Sequence, residues 1–546
     1  MTEETAFRLR AREVAKNFLQ SVVVVDDRAS YDSAQPTQVQ RPRRGASLSI
    51  TSNSARTAPN EQRHHLNAKE LIDGFAMKGM VCAVIKPEQG EIFQQAANNV
   101  SQRADVVILD WDIYGDGGES VLNTIEGIID ADSSEHDRLR LIVIYTGEND
   151  LAKISDQLEG RLQSFSEVIG LSVTRENVCV YRIGPARIVI YAKQASHLTM
   201  EFQSRAVAID ELPDAVINEF SRMTEGLLPN AVLKAIGELR RVTHRVINKF
   251  SAELDAAYLN HRALTVPSEE AQSHFYPLIA DEIEAILYDS GVDDALSPDT
   301  IRSWLDHRVA NGLALDRKMK INGKTNAKNA AFELIVNGIK EAKLKHPACK
   351  SFVRSLDGID SNKASNEHSA LSYLTNVLAL TDGPDALDLD LTLAMIMSIR
   401  ARYSKPNPTL RLGAVIKDTR NKYYLCIQAL CDCVRIKKGL KFTFLVLSKS
   451  MRPSDFVVKS DNVLTRLKVL SGPKDVVRIP FGAGNIDTPV RADLSGDSWS
   501  FTDDKGQTYK WICDLRIQHA QRVANEYAAK ISRVGLTESE WLRRQK

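Results

Sequence analysis

Apolar residues in the N-terminal part of the chain come in short unbroken runs, each closed by polar or charged residues. Ser21–Val25 reads SVVVV and ends in Asp26-Asp27, Asp105–Trp111 reads DVVILDW, and Leu139–Tyr145 reads LRLIVIY and ends at Thr146-Gly147. Met80–Ile85, Val178–Ile183 and Arg187–Ala192 are runs of the same kind, the last ending at Lys193. A continuous β-branched run bounded by polar residues is the pattern of a strand buried on both faces. Between these runs the period becomes helical. Residues 5–19 form one such stretch, as do Ala68–Lys78, Glu119–Asp130 and about Asp150–Phe165. In the second, Leu71, Ile72 and Phe75 share a face; in the third, Val121, Leu122, Ile125, Ile128 and Ile129 do. Strands alternating with helices predict a parallel sheet in a doubly wound α/β domain over residues 1–200.

Residues 28–65 break this pattern. They are rich in Ser, Arg, Gln, Asn and Pro and read as a mobile surface insertion. Its Arg41, Arg43 and Arg44 are read as a solvated loop, and His64 and His65 as inert. Residues 205–403 are helical in character throughout, with Gly, Pro and Asn as punctuation. After Pro406-Asn407-Pro408 the composition shifts to strand-like runs, LRLGAVIKD, KYYLCIQALCDCVRI and KFTFLVLSK among them. These predict a small β-rich, barrel-like domain over 408–515, followed by terminal helices over 516–546.

Composition narrows the function. The chain has 546 residues, a formal net charge of +1 and 43% hydrophobic residues, which suits a multidomain protein with a substantial core. The balanced charge excludes a globally basic nucleic-acid coat. No apolar run is long enough to span a bilayer, the charged start MTEETAFRLRAREVAKNF lacks the apolar region of a secretory signal, and seven cysteines make no disulfide framework. A cytoplasmic location without membrane contact is the expectation.

The chemistry lies at the strand ends. In an open parallel sheet the carboxyl ends of the strands line one crevice, where ligands bind. Asp26 and Asp27, Asp110, Thr146 and Lys193 would therefore meet at one rim, while the remaining strand offers only Lys86-Pro87. Packed carboxylates need a cation, and an oxygen-rich site suits Mg²⁺. A metal ion, a carboxylate nucleophile and a lysine are the parts required to transfer a phosphoryl group onto an aspartate.

In that order, VVVVDD, VVILDWDIYGDGG, IVIYTGE and IVIYAK resemble the receiver domain of two-component response regulators. The resemblance implies a flavodoxin-like fold, Asp110 as phosphoacceptor, Asp26 and Asp27 as metal ligands, and Thr146 and Lys193 as partners of the phosphoryl oxygens. It places Asp112, two residues past the acceptor, where the family offers a backbone carbonyl to Mg²⁺. The phosphoryl donor it implies is a histidine kinase. The chain departs from the family in the insertion at 28–65, a long segment from Gly147 to Arg187, and Gln194 where a proline is customary. Ile190 stands where an aromatic switch residue is often found, with Tyr191 one place later. The segments FAMKGMVCAVIKP and AQRVANEYAAKISRVGLTESEWLRR resemble the receiver proteins of bacterial anti-phage two-component systems such as Detocs. That resemblance implies a second receiver or effector protein as a further partner. Homo-oligomerisation stays open.

Other motifs weigh less. Cys426, Cys431 and Cys433 read as small core residues of a strand, with Cys431 and Cys433 on one face, rather than zinc ligands. The basic stretch RKMKINGKTNAK and Lys340, Lys343 and Lys345 read as a solvated face or partner dock, with no helix-turn-helix signature, so nucleic acid is not the expected partner. SGPK from Ser471 and Gly482-Ala483-Gly484 read as turns. Two outputs stand as alternatives: a protein that stores or drains phosphoryl groups, and a DNA-binding or other effector switched by the receiver.

Overall fold

The computed structural model describes residues 5–31, 66–87, 99–134, 138–194, 197–265, 268, 270–350, 352, 374–379, 386–402, 407–434, 436, 440–450, 454–470, 472–481, 488–496 and 498–531. Most of the insertion, with Arg41, Arg43, Arg44, His64 and His65, lies outside them, as do Ser471, Gly482-Ala483-Gly484 and the chain beyond Ile531. The chain divides into two compact units: Met1–Lys249 with Asp281–His307, and Phe250–Ala280 with Arg308–Lys546.

In the first unit, seven strands form the body of one sheet: β1 (Ser21–Val25), β2 (Val81–Ile85), β3 (Val106–Leu109), β4 (Arg140–Thr146), β5 (Val173–Asn177), β6 (Val180–Ile183) and β7 (Ala186–Lys193). The order is β2-β1-β3-β4-β7-β6-β5, with the first five strands parallel. A two-residue strand, Ala206–Val207, adds in parallel to the end of β7. The sheet is mixed rather than wholly parallel, because β5 and β6 form an antiparallel hairpin on the outer edge of β7. Only Gly184-Pro185 separates β6 from β7, and a connection that short cannot carry the crossover a parallel pair needs. β5, VTREN, is exposed along most of its length, so no apolar pattern betrays it.

The sheet is covered on both faces. Val23, Val25, Val107, Leu109, Ile142, Ile144, Ile188 and Ile190 pack into one core with α3 (Glu119–Ser134) and α4 (Leu151–Ile169). The alternate residues Val22, Val24, Val106, Ile108, Leu141, Val143 and Val189 face a second core. That core is built with α1 (Ala6–Phe18), α2 (Ala68–Met77), α5 (Leu212–Met223) and Leu233 of α6 (Leu227–Lys249). The insertion is bracketed by two short strands, Ala29–Ser30 and Leu66–Asn67, that pair in parallel and bring its ends together. At the amino ends of the strands, Asp105 accepts from Gln20 N at 2.9 Å and from Arg240 at 3.0 and 3.1 Å, tying α6 to the entry of β1.

The second unit carries nine antiparallel strands between Ala414 and Asp514 in one curled sheet, with a helix, Ile517–Ile531, packed through Ala520 and Val523 on one of its two cores. Two of its hairpins share a device. Asp418 accepts from Arg420 N, Lys422 N and the Tyr424 hydroxyl, and Asp503 accepts from Lys505 N, Gln507 N and the Tyr509 hydroxyl. Each aspartate closes its turn and satisfies a tyrosine six residues on. The expected long strand at YYLCIQALCDCVRI ends at Cys426, and Leu430–Val434 is a helical turn. Cys433 is therefore buried and Cys431 exposed, instead of the two sharing a strand face.

Candidate functional site

The register of the parallel strands builds the site. Val25 of β1 is level with Leu109 of β3, Leu109 with Ile144 of β4, and Thr146 with Ala192 of β7. Asp26 and Asp110 each follow the first of these levels by one residue, Thr146 stands two residues past Ile144, and Lys193 follows Ala192, so all four leave the sheet at its carboxyl-end rim. The Lys193 ammonium donates to Asp26 Oδ2 at 2.9 Å and lies 3.1 Å from Asp110 Oδ1. All of this is out of solvent: Asp26 and Asp110 are 2% exposed, Lys193 5% and Thr146 0%. Carboxylate oxygens of Asp26, Asp27 and Asp110 lie within 4.8 Å of one another.

Burial is the largest influence on Asp110. It pushes the Asp110 carboxyl up to about 6, and Asp26 and Asp27 add to the rise, while Lys193 only partly opposes it. Lys193 shows the opposite balance. Burial favours its neutral amine, but Asp110 and Asp26 outweigh burial and hold the ammonium above its ordinary value. The lysine thus stays charged at neutral pH while Asp110 keeps an unusual affinity for a proton.

Three carboxylates against one ammonium leave two negative charges in this space. Asp27 Oδ1 and Asp110 Oδ2 are buried and have no hydrogen-bond partner among the described residues. Buried orphan acceptors of this kind are uncommon and call for a ligand. An oxygen-only, doubly negative donor set fits a hard divalent cation such as Mg²⁺.

The neighbouring loop supports the rim. Arg28 N donates to Asp26 Oδ1 at 2.8 Å, and Tyr114 N donates to Asp27 Oδ2 at 3.1 Å. Tyr114 holds a left-handed backbone, φ 59°, to make that contact. Gly118, φ +100°, is required by the same loop, since a Cβ there would stand 2.2 Å from the Trp111 ring. Asp112 is half-buried and stands apart from the carboxylate cluster; its Oδ1 accepts from Gly117 N at 3.1 Å. Thr146 Oγ1 accepts from Glu148 N at 3.0 Å.

Residues 18–198 match the family model of the response receiver domain. No curated protein and no solved structure matches the chain. The receiver family suggests a phosphoaccepting response regulator of a two-component system. Receiver domains generally accept phosphoryl groups from histidine kinases and bind Mg²⁺ at an acidic cluster, and here the acidic cluster is Asp26, Asp27 and Asp110. Among the described residues no helix is long and apolar enough to cross a membrane.

Sequence reasoning missed a buried ionic network behind the receiver's last strand. Arg187 of β7 donates to Glu219 of α5 at 2.9 and 2.7 Å and also to Glu176. The Tyr191 hydroxyl donates to the other Glu219 oxygen at 3.1 Å, with Arg187 and Glu219 each 2% exposed. Tyr191, not Ile190, is the ring tied to a neighbouring helix. A charged residue inside the apolar run ARIVIYAK was the available signal.

Proposed function

We propose that this protein is a response receiver that takes a phosphoryl group on Asp110 from a partner histidine kinase. The observation that carries the reading is the Lys193 ammonium set between Asp26 and Asp110, beside two buried carboxylate oxygens that lack partners. An Asp110 oxygen attacks phosphorus, the phosphorus–nitrogen bond of the phosphohistidine breaks, and the imidazole departs with the bonding pair. Lys193 neutralises charge on the transferring oxygens and Thr146 donates its hydroxyl to one of them. Asp26, Asp27 and Asp110 would hold Mg²⁺ through carboxylate oxygens, and Asp112 would offer it a main-chain carbonyl. When bound, the ion supplies charge neutralisation that lets anionic acceptor and donor approach.

The biological reading follows the Detocs-like resemblance. The protein works in the cytoplasm, in anti-phage two-component signalling, as a phosphoryl sink that drains spurious signal from the kinase before it reaches a second receiver bearing the effector. The test is labelling of the full chain with acetyl phosphate and Mg²⁺. Replacing Asp26 and Asp27 together by Asn should abolish metal-dependent labelling, and Lys193→Met should slow it strongly. Full labelling in both variants would refute the assignment. Phage challenge of cells with and without the protein tests the defence role.

A further inference from the structure

In the second unit, α7 (Asp255–Leu264) and the start of α8 (Glu270–Asp289) meet across a short turn, outside the residues that match the receiver family. Little holds them together. α7 buries none of its residues, and a helix of that length is marginal without packing. Pro277 removes a backbone hydrogen bond from α8 one turn past His274. The contacts between the two helices are ring contacts. Tyr258 meets Phe275 edge-on with centroids 6.4 Å apart, and the His261 ring lies 5.5 Å from that of His274.

The histidine pair is set for more than ring packing. His261 Nε2 is 3.2 Å from His274 Nδ1, and both side chains are exposed. Bonds of about 2.0–2.1 Å from a tetrahedral Zn²⁺ place two imidazole nitrogens about 3.3 Å apart. The two nitrogens therefore already stand at chelating separation, on rings that an ion reaches from solvent. Without a metal, one ring donates to the other. With one, each neutral ring carries its proton on the far nitrogen, His261 at Nδ1 and His274 at Nε2, and both facing nitrogens are ligands.

Neutral imidazole favours zinc, copper or nickel over magnesium, the reverse of the carboxylate cluster at Asp26, Asp27 and Asp110. Among the described residues no third histidine, cysteine or acid joins the pair, which leaves the remaining positions of an ion to water. We propose that His261 and His274 chelate a divalent ion of the zinc class that clasps α7 to α8. The two ligands stand on opposite sides of the turn, so the ion adds a cross-link where packing supplies little. The site stands independently of phosphoryl transfer at Asp110.

The experiment is titration of the full chain with Zn²⁺ in excess Mg²⁺, read by isothermal calorimetry and by hydrogen exchange of peptides covering α7. Zinc should bind, and His261→Gln and His274→Gln should each remove the same one equivalent, because the chelate needs both rings. Both variants should keep the wild-type circular dichroism without metal, since the two side chains are exposed. At a hundred times its Kd, an ion that must leave before α7 opens lowers the opening equilibrium about a hundredfold. Zinc should therefore slow exchange in α7 by about tenfold or more in wild type and leave it unchanged in either variant. Full zinc stoichiometry in either variant would overturn the proposal and return the pair to an ordinary hydrogen bond. So would wild-type exchange that zinc leaves unchanged, which would put any bound ion on one helix alone. Loss of helix in the metal-free variants would also overturn it, by making the pair a structural contact.

Discussion

Replacing Asp110 with asparagine should stabilise the receiver in the absence of metal. A carboxyl whose folded value is about 6, against an ordinary 3.8, binds its proton more tightly in the folded than in the unfolded chain. The sign follows by linkage: stability from this group is full below the ordinary value and is lost as pH rises through the folded one. A rise of roughly two units corresponds to about 3 kcal/mol of strain in the ionised, metal-free site. The amide of Asp110→Asn carries no charge, so it removes that strain while giving up a contact to Lys193 of about 1 kcal/mol. The expected net gain is about 2 kcal/mol near neutral pH without Mg²⁺, shrinking toward zero near pH 4. Saturating Mg²⁺ should invert the ranking, since a ligand at about a hundred times its Kd adds about 2.7 kcal/mol to a chain with the intact site. Hydrogen exchange of peptides covering β3, with and without Mg²⁺, reads this stability locally. If Asp110→Asn is less stable than wild type in metal-free solution at neutral pH, the electrostatic reasoning fails.

Further outcomes follow from the rest of the receiver. Glu219→Leu leaves the buried Arg187 with only Glu176 and frees the Tyr191 hydroxyl, and should destabilise the receiver by about 3–5 kcal/mol in chemical denaturation. Gly118→Ala drives a Cβ into the Trp111 ring at a left-handed backbone position. It should lower stability by at least about 2 kcal/mol and slow acetyl phosphate labelling, because the loop donates to Asp27. If Glu148 and Asp112 orient the water that hydrolyses the acyl phosphate, Glu148→Leu and Asp112→Met should prolong the phosphorylated state, the double variant most of all. Decay of label after donor removal measures this, and unchanged decay in all three variants would return both residues to a rim role.

The receiver was legible because its strands are short, apolar and separated by helices, so each strand end could be ordered around one rim. Asp26, Asp110, Thr146 and Lys193 all leave the sheet at its carboxyl-end rim, Asp26 level with Asp110, Thr146 one residue further along and Lys193 one residue beyond Thr146. The edge hairpin was less visible, since an exposed edge strand such as VTREN needs no alternation. Its partner's direction was nevertheless implicit in the two-residue link to β7. The Arg187–Glu219 pair joins residues far apart in sequence, and no local pattern announces such a pair. CDCV misled because small residues after a strand look like its continuation, while the chain turns helical there.

The central claim is that Asp110 carries the phosphoryl group, and locating the acyl phosphate tests it most directly. After incubation with acetyl phosphate and Mg²⁺, reductive trapping and peptide mass spectrometry should place a single modification on Asp110, dependent on Mg²⁺ and absent from Asp110→Asn. Modification at another aspartate, or on Asp110 to the same extent without divalent metal, would contradict the account.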